Sequence, residues 1–102
     1  MATFYQISLA GGSVYFTLDT EVDNHVFELS FRWVESANFY RAYISIDGVL
    51  RVEGKGLHPD IDLLKSVKLD DDQVLGRLYL VGAEPSLENI GIENRLIYET
   101  VQ

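Results

Sequence analysis

Apolar and polar residues alternate with period two in short runs broken by turn residues, the signature of strands with one buried and one wet face. Tyr5, Ile7 and Leu9 alternate with Gln6 and Ser8 before Gly11-Gly12. Val14, Phe16 and Leu18 share a face opposite Tyr15 and Thr17, and the polar stretch from Asp19 to Asn24 reads as a turn. The strictest run sets Phe27, Leu29, Phe31 and Trp33 against Glu28, Ser30 and Arg32, which predicts a strand solvated on one side with Trp33 as a core anchor. After Glu35-Ser36-Ala37-Asn38, Tyr40, Ala42, Ile44 and Ile46 face one way and Arg41, Tyr43 and Ser45 the other. Asp47-Gly48 then leads into Val49-Leu50-Arg51-Val52. Asp-Gly between alternating runs predicts a hairpin, because a type I′ turn needs φ > 0 at both central positions.

Gly54-Lys55-Gly56 ends that hairpin, and the pattern changes character from Leu57 to Val67. His58-Pro59-Asp60 resembles a helix start, and Ile61, Leu64 and Lys65 follow at helical spacing, so a helix of about two turns is expected there. Asp70-Asp71-Asp72 reads as a turn, and Val74, Gly76, Leu78 and Leu80 alternate with Leu75, Arg77, Tyr79 and Val81 as a strand. Ala83 to Gly91 reads as a loop with room for one helical turn, and Arg95 to Val101 as a final strand. The expected architecture is mainly β, a small antiparallel β-sandwich or partly open β-barrel with one short helix.

With 102 residues the chain suits one domain, spanning 1–102, and a core this small gains from burial against partners or sister copies. Apolar residues at 47% and charged residues at 24% exclude wholesale disorder. The net charge of −8 opposes binding to a phosphate backbone, so no specific nucleic-acid binding is expected. Without cysteine there is no disulfide, thiolate nucleophile or sulfur-ligated metal. The N-terminus lacks the basic and apolar regions of a signal peptide and no apolar run is long enough to cross a bilayer, which predicts synthesis in the cytoplasm and no membrane span.

Few residues are arranged for chemistry. His25 and His58 lie in different turns, with no neighbour spaced as a metal ligand or catalytic base, and read as turn or capping residues. Asp19, Glu21 and Asp23 alternate like the start of a calcium loop, but Asn24 takes the place of the required glycine and Ser30 that of the bidentate glutamate. Gly54 and Gly56 follow no phosphate-cradling pattern, and the serines lack a nucleophile elbow. No enzyme, cofactor or metal is therefore expected; a carboxylate pair assembled only in space stays open.

Five aromatics stand apart. Phe4, Tyr15, Phe39, Tyr43 and Tyr79 fall on strand faces opposite the core residues, where Phe and Tyr suit a surface buried against a partner. In a closed barrel or a two-sided sheet the same residues would be core. They are the candidate interface residues, and a small β module binding carbohydrate or peptide is the alternative use for them.

Taken in order, Phe31-x-Trp33, Tyr43-x-x-x-Asp47-Gly48, Leu50, Gly54, Leu57, Leu63-Leu64, Gly76-x-Leu78, Pro85, Asn89-x-Gly91 and Leu96-x-Tyr98 resemble the baseplate plug family of contractile-tailed bacteriophages. The likeness runs from about Phe4 to Tyr98. The segment Ala83 to Glu88 departs from it by lacking a longer acidic or proline-rich loop. The resemblance implies a non-enzymatic virion component of the tail baseplate, placed where the tail tube meets the hub and spike. Its implied partners are the hub, spike and tail-tube proteins, with homo-oligomerisation in the assembled particle.

Overall fold

A computed structural model describes residues 3–9, 14–65, 67, 69 and 75–100. Seven strands follow one another: β1 (Phe4–Ile7), β2 (Tyr15–Val22), β3 (His25–Val34), β4 (Phe39–Ile46), β5 (Val49–Gly56), β6 (Arg77–Gly82) and β7 (Asn94–Glu99). They form two antiparallel sheets, one ordered β1-β7-β6 and the other β2-β3-β4-β5. The sheets stack as a sandwich and do not close into a barrel, which resolves the architectural alternative.

The inner faces follow the alternation of the sequence. Phe27, Leu29 and Phe31 on β3 and Tyr40, Ala42, Ile44 and Ile46 on β4 are buried, and Leu78, Leu80, Leu96 and Tyr98 meet them from the other sheet. Aromatic rings knit the layers: Phe16 lies 5.2 Å from Phe31, and Phe27 lies 5.7 Å from Tyr98 across the sandwich. Trp33 sits at the rim, partly buried, edge-on to Tyr40 at 5.0 Å. The fully buried rings of Phe31 and Tyr40 are the anchors in its place. Tyr5 also departs from the pattern, since β1 lies at a sheet edge and leaves it 48% exposed.

The stretch from Asp19 to Asn24 is corrected as well. β2 runs on to Val22, with Phe16 and Val22 buried while Asp19 and Glu21 face water, so the carboxylates mark a wet strand face and not a turn. The turn is only Asp23-Asn24, both at positive φ (50° and 65°), as a type I′ connection requires. Asp23 works inside the fold: its Oδ2 accepts from the Tyr98 hydroxyl at 2.7 Å, and that hydroxyl accepts from the Gly76 amide at 3.0 Å. Burial pushes the Tyr98 phenol well above its usual pKa, so it stays a neutral donor.

The Asp47-Gly48 hairpin has the expected form, with φ of 52° and 85°. A Cβ on Gly48 would meet nothing within 4 Å, so the cost of a side chain there is purely that of the left-handed backbone. Gly48→Val is expected to lower stability by about 1–2 kcal/mol. Val49→Ile on the neighbouring exposed residue should change it by less than about 0.5 kcal/mol. Urea midpoints of the two variants check this, and equal shifts would refute the turn conformation.

The expected helix between Leu57 and Val67 is absent among the described residues. Asp60 has φ of 64°, outside the helical region, and the segment instead lies along the outer edge of β6. Pro59 bridges Leu80, the Asp60 amide donates to the Leu80 carbonyl at 2.8 Å, and the Leu63 amide donates to Leu78 at 2.7 Å. Leu57, Leu63 and Leu64 thereby enter the core, and a sheet edge is covered. Asp70-Asp71-Asp72, Val74, Gly11-Gly12 and Val101 lie outside the described residues. The loop from Ala83 to Gly91 does hold a helical turn: Ser86 and Asn89 cap one another reciprocally, and the Ile90 amide reaches the Ser86 carbonyl.

Candidate functional site

The sandwich has two outer faces, and strand parity divides the five candidate aromatics between them. On the four-stranded sheet, Tyr15, Arg32 and Arg41 form one cross-strand row, Thr17, Ser30, Tyr43 and Glu53 the next, and Asp19, Glu28 and Ser45 a third. Phe39, paired with Val34, lies beyond the first row. This face therefore runs from an aromatic and arginine end to an acidic end. Tyr15 is 50% exposed, with the Arg32 guanidinium 5.4 Å from its ring centroid. Phe39 carries Arg41 at 5.8 Å and stacks on His58 at 5.7 Å, while Tyr43 is half-buried beside Gly54.

Phe4 and Tyr79 lie on the outer face of the other sheet. There Phe4, Glu99 and Arg77 form one row, and Gln6, Ile97 and Tyr79 the next. Phe4 is 60% exposed. Arg77 donates to Glu99 Oε1 at 2.8 Å and lies 5.0 Å from the Tyr79 ring, and the Tyr79 hydroxyl also reaches Glu99. The structure thus brings Tyr15, Phe39 and Tyr43 to one face and Phe4 and Tyr79 to the opposite one.

Reading the chain one residue at a time misses the arginines. Arg32, Arg41 and Arg77 each lie over one of the candidate rings, an arrangement in which ring and guanidinium cover apolar area together and keep a charged rim. The signal was present for two of them, because Phe39-x-Arg41 and Arg77-x-Tyr79 place both side chains on one strand face.

Both histidines are tied to carboxylates. His25 Nδ1 bonds Asp47 Oδ2, while Asp47 Oδ1 accepts from the Val26 amide at 2.9 Å, so this group locks the β4–β5 turn to β3. The His25 hydrogen bond, then the Val26 amide, holds the Asp47 carboxyl below its usual pKa. His58 bonds Glu84 through Nδ1, fastening the loop after β6 to the segment after β5. These are structural ties between turns. Among the described residues no group of three or more His, Asp or Glu side chains is arranged to hold a metal ion.

Residues 4–101 match the protein family described as cyanophage baseplate Pam3 plug gp18. The chain belongs to this baseplate plug family. No curated protein matches it significantly. Membership gives the chain a structural role in the virion tail baseplate and implies interaction with other baseplate proteins. The residues that carry the family resemblance are largely those that make the fold. Phe31, Leu57, Leu63, Leu64, Leu78, Leu96 and Tyr98 are buried, and Gly48, Gly54 and Gly91 take positive φ. Of the five outer-face aromatics, Tyr43 alone is among the residues of the resemblance.

Proposed function

We propose that the chain acts as a single domain, a plug at the junction of the tail tube with the hub and spike, and works through protein contacts without turnover. In this reading it is made in the host cytoplasm, assembles in several copies, and touches hub, spike and tail-tube proteins. Phe4, Tyr15, Phe39, Tyr43 and Tyr79 supply contact area. The match to the plug family along residues 4–101 carries the reading. Two features support it: half-exposed aromatics with arginines over them suit an interface centre, and opposite outer faces suit a part held between neighbours.

Removal of the gene is expected to leave head assembly intact and to stop or weaken tail maturation. Complementation with Tyr15→Asp should fail, because the carboxylate would be desolvated on docking, while the purified variant keeps its thermal transition since Tyr15 lies outside the core. Infectious particles formed in normal number without this protein would sink the reading.

A further inference from the structure

A cleft of about 420 Å³ opens at one end of the sandwich, between the end of β3 with its turn into β4 and the loop after β6. Every residue from Trp33 to Asn38 and from Glu84 to Glu88, the two walls, is among the described ones. Trp33, Pro85 and Leu87 give the cleft apolar surface, and Glu35, Glu84 and Glu88 give it three carboxylates, with no described Lys or Arg in the lining. The loop wall is fixed by its own bonds: His58 holds Glu84, Ser86 and Asn89 cap one another, and Asn89 Nδ2 donates to the Glu84 carbonyl at 2.9 Å. Glu35 and Glu88 are exposed and make no hydrogen bond or ion pair among the described residues, so no neighbour there offsets their charge. The aromatic surface has a matching gap. Tyr15, Phe39 and Tyr79 each carry an arginine of this chain over the ring. Trp33, whose indole attracts a cation more strongly than a phenyl or phenol ring does, carries none among the described residues. It is half-buried and braced by Tyr40, 5.0 Å away.

We propose that this cleft receives an arginine side chain borne on a segment of a neighbouring protein, its guanidinium set against the Trp33 indole within the rim of Glu35, Glu84 and Glu88. Charge complementarity selects this occupant. A guanidinium offers a flat, weakly hydrated face to the indole and N–H donors at its edge to the carboxylates, so one side chain answers both halves of the lining. A neutral sugar stacks on an indole as well, but it leaves the carboxylates without counter-charge on a chain of net charge −8. The proposal rests on the reading of the chain as an assembly component. Its test needs no virion, so failure here and failure of the gene-removal experiment are separate results.

The test uses the full chain and a fluorescein-labelled synthetic peptide alternating arginine and serine, with affinity read by fluorescence anisotropy at low and high salt. Trp33 is the single tryptophan, so its own fluorescence, followed with the unlabelled peptide, reports on the cleft directly. Saturable binding that weakens with salt and changes the Trp33 emission is expected, with affinity reduced about tenfold in the double variant Glu35→Gln, Glu88→Gln. The double variant Glu21→Gln, Glu28→Gln removes the same charge from exposed positions on the outer face of β2 and β3 and should bind as the parent does. Thermal transitions are recorded for both. If the first does not fold, Glu88→Gln alone replaces it, with about a threefold loss expected. Absence of binding, binding without a change in Trp33 emission, or equal losses in the two double variants each overturns the proposal. So does equal binding of a peptide with citrulline, the neutral isostere, in place of arginine, and so does tighter binding of chitotriose, which would make the cleft a sugar site.

Discussion

Phe31→Ala is expected to cost about 3–5 kcal/mol, and Trp33→Ala less than half of that. Phe31 is wholly buried in the middle of β3, with the Phe16 ring 5.2 Å away, and both flanking strands hold it in place by pairing: Phe16 opposite on β2 and Ala42 opposite on β4. Removing the ring leaves a cavity that strands fixed on both sides cannot collapse around. Trp33 lies two residues on, at the rim, where solvent already reaches the indole and refills the space it leaves. Domains of this size are held by only about 5–15 kcal/mol, so the Phe31 variant should show a clearly lower urea midpoint and the Trp33 variant a modest shift. A larger loss for Trp33→Ala than for Phe31→Ala would overturn the assignment of anchor and rim.

The contrast shows what alternation can and cannot convey. β3 and β4 are legible in the sequence because each is central, with one dry face and one wet face, so the pattern of Phe27, Leu29 and Phe31 maps directly onto burial. Trp33 and Tyr5 continue the same pattern but lie at a strand end and on an edge strand, where the facing layer no longer covers them. Asp19 to Asn24 is misread for a related reason. Carboxylates on the wet face of a strand have the composition of a turn, and only the parity of Val22 with Phe16 distinguishes the two.

The candidate surface shares this limit. Parity correctly places Tyr15, Phe39, Tyr43, Phe4 and Tyr79 opposite the core, because it is local to each strand. Their division between two faces depends on which strand joins which sheet, and that is a matter of long-range pairing such as β1 with β7.

That segment is the clearest case of local preference overruled, and Asp62 is the residue that overrules it. Pro59 at a candidate first turn, with Ile61 and Leu64 at helical spacing, favours a helix locally. The alternative conformation satisfies groups that a helix would leave bare. Asp62 Oδ1 accepts from the Leu64 amide and the Leu78 amide, both at 3.0 Å, and Lys55 holds the Asp62 carbonyl. Leu64 and Leu78 are buried, and among the described residues Asp62 is the acceptor these two amides have. Asp62→Ala is therefore expected to cost about 2–4 kcal/mol, the penalty for two stranded donors with some relief from water entry. Asp62→Asn keeps a carbonyl oxygen at the same place and should recover more than half of the loss. Amide hydrogen exchange gives the local readout: protection at Leu78 should fall in the alanine variant and return with asparagine. If Leu78 keeps its parental protection in Asp62→Ala, the edge of β6 is closed by Pro59, Asp60 and Leu63 alone, and the carboxylate is incidental to the path of the chain.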